Sequence, residues 1–511
     1  MSRRLLLPAL LVLLAALLPG AAKAHVGSPN VFFDGDAGPY PVRVIVRPPE
    51  VVPGLAEITV RLKSGEARNV TVQPVYWQAG LQGAPPADVA LPVPGQAGSH
   101  TAQLWLMRQG SYSVRVQIDG SSGQGTALVP VTTAPTELRT MQRGIGIVLS
   151  LLGVFLFVGA LTIVGAAVRE SVLAPGEAPD PRRKARARLV AVASGLLLAL
   201  ILFGGKRWWD SVDAENREDL YRPFAVKTSA RAEGSARVLS MEIDDARRQE
   251  WSPLIPDHGK LMHMFLVREP GLDAFAHLHP VPGDQDRFDV TLPPLPAGRY
   301  RVYGDVVHET GFPQTLVDEI EIPAAPSPSG QAAASAGSPP PDPDDSWRAS
   351  APLARAAGPA VSPLGDGFEM SWRKGPEPLT AGRELDLRFE VQGPGGHPVP
   401  LEPYMGMLSH AVITRDDGEV FVHLHPVGSF SMASQQAFEK KLAGAIPAAS
   451  GPAMDHSAHR AHLIHQGAHA PSVVSFPYEF PKPGRYRIWV QVKSGGKVMT
   501  GVFDTEVGAA S

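Results

Sequence analysis

Short runs of alternating apolar and polar residues, separated by Pro and Gly, dominate this chain, and that is the pattern of half-buried strands joined by tight turns. Between residues 25 and 140 the runs VRVIV, AEITVRL, ARNVTVQPVYW, TAQLWLM, SYSVRVQI and TALVPVT predict an immunoglobulin-like β-sandwich. Two apolar runs follow. Residues 144–168 carry no charge over 25 positions, and residues 189–205 extend over 17 and lead to Trp208 and Trp209. Runs of about this length cross a bilayer core as helices, and tryptophan suits its interface. The strand pattern returns in residues 221–323 and 346–511, separated at 324–345 by a Pro/Ala/Ser-rich linker that lacks the residues to bury a core. The expected fold class is mainly β: three immunoglobulin-like β-sandwich domains plus a two-helix transmembrane hairpin.

The two C-terminal segments repeat one another. In LSHAVITRDDGEVFVHLHP (408–426), a two-residue turn at Asp417-Gly418 places His410 opposite His425, with His423 on the same face. In LMHMFLVREPGLDAFAHLHP (261–280), a three-residue loop, Pro270-Gly271-Leu272, puts His263 opposite His279 with His277 beside it. His258 aligns with Met405, five positions before the first histidine of each copy, and LPAGRYRVYGDVV realigns with PKPGRYRIWVQV downstream. A module of roughly one hundred residues has therefore been duplicated. Each hairpin is expected to aim three imidazoles at one ion. Imidazole suits copper or zinc, and a thioether would tilt the choice to Cu(I). The candidate ligands are His258, His263, His277, His279, His410, His423, His425, Met405 and Met407, whereas Met262 and Met264 face the other way and read as core.

Composition narrows the setting. The chain has 511 residues, a formal net charge of −3, a pI near 6.6 and no cysteine, which removes thiolate sites and gives no reason to expect nucleic acid. Arg3 and Arg4, the apolar run 5–18 and Ala22-Lys23-Ala24 read as a signal peptide spanning 1–24, leaving His25 as a new terminus. A terminal histidine can chelate copper, so His25 with His100 is a further candidate pair. Arg169, Arg182, Arg183, Lys184, Arg186 and Arg188 crowd the segment 169–188, which places that loop in the cytoplasm and both flanking regions outside. A histidine-rich insert at 454–469 carries His456, His459, His462, His465 and His469, a composition that collects metal.

At M-x-M-x-x-H (405–410), F-V-H-L-H-P (421–426) and P-K-P-G-R-Y-R (481–487) the chain resembles YtkA-like modules. These are bacterial extracytoplasmic immunoglobulin-like domains grouped with heavy-metal or copper-handling proteins. The resemblance covers the two C-terminal copies. It implies an extracytoplasmic module that handles copper, or zinc second. Together with the signal peptide, apolar runs and basic loop, the expectation is a membrane-anchored periplasmic protein of the bacterial inner membrane with the bilayer, a metal ion and an envelope transporter or other membrane protein as partners. The alternative is a non-metal envelope scaffold built of serial sandwiches. No catalytic motif occurs, and Asp416, Asp417 and Glu419 lie at the turn, away from the histidines, so an enzyme is not expected.

Overall fold

A computed structural model describes residues 25–26, 30–136, 138, 141–174, 176–218, 220–233, 236–284, 286–324, 339–354, 358–443 and 472–510. The predicted signal peptide and the histidine-rich insert lie outside the described residues. Residues Ala134–Arg222 form one compact unit, and the β modules form the other.

The smaller unit holds two long helices, Arg143–Glu170 and Pro181–Glu218, both apolar and long enough to cross a membrane. Their large apolar side chains, Leu151, Phe155, Leu196 and Phe203 among them, are exposed. The helices meet at small residues, where a Cβ added to Gly195 would lie 3.6 Å from Leu161 and one added to Gly165 would lie 3.9 Å from Ala191. The second helix is longer than its apolar run. It begins at Pro181, so Arg182, Arg183, Lys184, Arg186 and Arg188 are helical and do not belong to the connecting loop, which is confined to residues 171–180.

The larger unit comprises three β-sandwiches, as the strand pattern predicts. In each, a four-stranded sheet faces a larger one across an apolar core. Two boundaries differ from expectation because short terminal strands pair with a neighbouring module. Ser346–Ala349 adds antiparallel to Ala274–Leu278 of the preceding module, and His25–Val26 adds parallel to Val420–Leu424 of the last.

The hairpin registers are those predicted, although the second hairpin's turn is closed by the Gly418 N–H donating to the Arg415 carbonyl at 2.9 Å and is not the two-residue Asp417-Gly418 turn expected. Ala411 pairs with Leu424 and Val412 with His423 in the second hairpin. Met264 pairs with Leu278 and Phe265 with His277 in the first, with Leu272 at positive φ in the connecting loop. Each hairpin is covered on both faces. Met264, Leu266, Ala411 and Ile413 enter the core of their own module. On the opposite faces Phe265, Val267, Phe275 and Tyr303 of the first copy pack against Val412, Phe421 and Trp489 of the second. The two copies therefore stack sheet to sheet through the faces that carry the histidines.

Candidate metal centre

The stacking is reciprocal. Tyr303 stacks on Phe421 with ring centroids 3.6 Å apart, and its counterpart Trp489 stacks on Phe275 at 4.8 Å. Arg487 donates to the Leu272 carbonyl at 2.8 Å, and its counterpart Arg301 donates to the Asp417 carbonyl at 3.4 Å. The same exchange reaches the histidines. Asp305 is paired in its sheet with His263, and Gln491 with His410. Each crosses to the other copy: Gln491 Oε1 lies 2.9 Å from His277 Nδ1, and Asp305 Oδ2 lies 3.5 Å from His423 Nδ1.

This arrangement merges two predicted trios into one buried cluster of seven rings. Within the second copy, His410, His423 and His425 have centroids 4.6 to 5.5 Å apart. Across the copies, His263 stands 5.7 Å and His277 5.6 Å from His423. His258 joins from a tight turn, Asp257 to Lys260, closed by two main-chain hydrogen bonds of 2.9 Å. His258 and Gly259 both have positive φ, at 52° and 81°, as a type I′ turn requires. The aligned turn in the second copy, Tyr404 to Met407, is built alike, with Met405 at 48° and Gly406 at 75°. For a histidine this backbone costs about 1–2 kcal/mol, and here it carries the ring to 5.0 Å from His425 and 5.5 Å from His410.

Hydrogen bonding sorts the ring nitrogens. His279 Nδ1 lies 3.0 Å from Asp345 Oδ1, which also accepts the His279 main-chain N–H at 2.8 Å. His425 Nδ1 donates to the Phe430 carbonyl at 3.2 Å, and His263 Nε2 to the Asp257 carbonyl at 3.1 Å. Within the cluster, six buried ring nitrogens have no hydrogen-bond partner: Nε2 of His258, His279, His423 and His425, and both nitrogens of His410. A seventh feature is chemical. His263 Nδ1 and His277 Nε2 lie 3.1 Å apart; with Gln491 Oε1 accepting from His277 Nδ1 and the Asp257 carbonyl accepting from His263 Nε2 both would be bare lone pairs, whereas the reversed Gln491 amide lets His277 Nε2 donate to His263 Nδ1. Two lone pairs at that distance repel unless a cation lies between them, and it is close to the separation of two nitrogens about 2.0–2.1 Å from one tetrahedral ion.

Burial favours the neutral form of five of the rings. It lowers the pKa of His258 and holds those of His263, His277, His410 and His425 well below the usual imidazole value, the neighbouring rings adding to the effect. Neutral imidazole is the ligating form.

Other candidates lie elsewhere. Met407 packs in an apolar cluster with Phe430 and Met432, so its thioether belongs to a core and is withdrawn from the ligand set. Met405 occupies the turn facing His258, whose ring approaches the Met405 main chain. His25 lies on a strand beside Val420, and His100 pairs with Val60 in the first module. His456, His459, His462, His465 and His469 lie outside the described residues. Sequence reasoning missed the carboxylates: Asp305 arrives on the strand beside the hairpin, and Asp345 comes from the end of the predicted linker, where Asp342 also pairs with Lys260. The alignment of Asp305 with Gln491 was the available signal.

The family described as "Domain of unknown function (DUF8832)" matches residues 223–318 and 362–509, the two copies that build this cluster. No curated protein matches the chain. Similar solved structures include a tetra-tandem repeat in the extending region of a large adhesion protein (8% identity, covering 89% of this chain and 71% of that one, TM-score 0.14). They also include native alpha-2-macroglobulin of E. coli (9%, 96% and 23%, TM-score 0.18) and the BSP domain of a biofilm associated protein (9%, 99% and 70%, TM-score 0.13). At such scores the likeness carries no argument about arrangement or function.

Proposed function

We propose that this chain is a membrane-anchored protein of the bacterial envelope whose two C-terminal modules together hold a transition metal, copper first and zinc second. The observation that supports it most is the set of buried ring nitrogens without hydrogen-bond partners, several of them on rings whose other nitrogen is held by a carboxylate or carbonyl. That is how metal-ligating histidines are oriented. Leaving so many buried polar atoms unsatisfied would otherwise cost about 1–3 kcal/mol each. An all-imidazole set binds Cu(II) more tightly than Zn(II) by the general order of divalent affinities. The residues that resemble YtkA-like modules agree with this reading, and the basic residues that begin the second helix, before its apolar run, support an outward-facing position for the modules. His263, His277, His279, His410 and His425 are each at most 5% exposed, which suits an ion that is retained more than one that is passed on.

A second reading, an envelope scaffold without metal, is favoured by the way the modules are cemented together. Arg43 of the first module pairs with Glu384 and Asp386 of the third, and the helix Met432–Leu442 packs Phe438 and Leu442 against Val75 and Leu128 of the first. A reversed Gln491 amide would also turn the His263–His277 contact into a plain hydrogen bond. Elemental analysis separates the two. The purified full chain carries copper under the metal reading, and replacing His410, His423 and His425 together with alanine removes most of it. Equal copper in both proteins would leave the scaffold.

A further inference from the structure

The imidazole donors divide into two sets, and His279 also groups with Asp342 and Asp345. His263, His277 and His279 each offer a ring nitrogen, all within 4.8 Å of one another, and so do His258, His410 and His425. The first set belongs to one copy and is backed by Asp345 and the Asp257 carbonyl. The second draws His258 from the first copy and its other two rings from the second copy. The sets touch: His258 is 6.1 Å from His263 between centroids, and His277 is 6.2 Å from His410. His423 stands between them, 5.6 Å from His277 and 5.5 Å from His410, with its Nε2 unpartnered.

Three imidazoles make a complete protein contribution to one site with an open position, and six make two. Were a single ion held by the first set, His258 and His425 would each keep an unpartnered buried nitrogen and His410 would have neither of its own engaged; were it held by the mixed set, His279 Nε2 would stay unpartnered. Resting on the metal reading above, we propose that the cluster takes a pair of first-row transition ions, one in each three-histidine set, and that the ion in the mixed set clamps the two copies together. His423 supplies a fourth nitrogen to one of them. The pair differs in surroundings. The ion held by His263, His277 and His279 has Asp345 behind a ligand, whereas the ion of the mixed set has the main-chain carbonyl of Phe430 behind His425 and the Tyr404 ring 5.0 Å from His410.

The test uses the detergent-solubilised full chain with His25, His100, His456, His459, His462, His465 and His469 replaced by alanine, so that no other histidine named above as a candidate ligand remains to compete with the cluster. It is loaded with Cu(II), desalted, and examined by elemental mass spectrometry and electron paramagnetic resonance. The expected result is two copper ions per chain and a spectrum broadened by dipolar coupling between neighbouring Cu(II) centres. Adding His258→Ala or His279→Ala halves the copper and leaves the sharp spectrum of an isolated centre. His258→Ala also removes the clamp, so proteolysis between the copies accelerates in the copper-loaded chain. One copper in the parent, or two with uncoupled spectra, overturns the pair while leaving the metal reading intact. No copper in the parent overturns the metal reading itself. Should either variant lose its fold, the parent's copper count and spectrum decide the question unaided.

Discussion

The two copies are built to one plan and differ at the point where they meet. Each presents a histidine hairpin of the same register, a preceding turn with two residues at positive φ, and an aromatic that stacks on the other copy. Yet the first copy's turn carries His258 where the second carries Met405, and the first copy's set is self-contained while the second's is completed by its partner's His258. Duplication supplied a near-symmetric interface of the kind two identical chains make, with each copy's residues reaching reciprocally into the other. Divergence at one turn then made the two halves inequivalent. A pair of hairpins that would each be an ordinary strand end alone becomes a buried polar centre only when stacked.

The largest expected effect is on acid stability. Five histidines, His258, His263, His277, His410 and His425, have pKa values lowered by burial in the fold. The unfolded chain binds protons at these rings near pH ~6.5 and the folded chain does not, so stability is full above that pH and falls as pH drops below it. Each ring contributes a slope of up to about 1.4 kcal/mol per pH unit. Denaturant melts of the metal-free chain between pH 5 and 8 should show a steep loss only on the acid side, and an equal midpoint throughout would break the comparison at its base.

Next is the apolar half of the interface. Trp489→Ala should cost about 3–5 kcal/mol, because the ring is 1% exposed and stacked on Phe275. Tyr303→Ala, its reciprocal partner, should cost a similar amount by chemical denaturation. A large cost for one and none for the other would show that the reciprocity is only apparent. Asp345→Asn should weaken metal retention roughly 10–100-fold by loosening the orientation of His279. Asp305→Asn should do less, since its carboxylate stands 3.5 Å from His423. The smallest effect on stability, about 1 kcal/mol, is expected of His258→Met, which gives both turns the same residue. In a competition assay it should lower Zn(II) uptake while sparing Cu(I), the softer ion. Unchanged Zn(II) uptake would exclude His258 from the ligands.

Much of this was legible along the chain. Turn residues from Asp416 to Gly418 and the loop after Glu269 set the hairpin registers locally, so the faces of all six hairpin histidines followed from alternation. The stacking of the copies was not read, although its signal was present: Phe265, Val267, Val412 and Phe421 share a face with the histidines, and a strand apolar on both faces is one covered on both. His258 could be aligned but not placed, since only the left-handed turn carries its ring across. Asp345 was hidden because it ends a stretch whose composition reads as linker, and its role depends on the strand Ser346–Ala349 joining the preceding sheet.

The account stands on histidines of both copies sharing metal inside one interface. Anomalous diffraction at the copper edge from crystals of the copper-loaded chain tests it most directly. The account predicts strong anomalous density enclosed by His258, His410 and His425 and again by His263, His277 and His279. Density confined to the histidine-rich insert, with the seven rings closed on one another through hydrogen bonds, would contradict it.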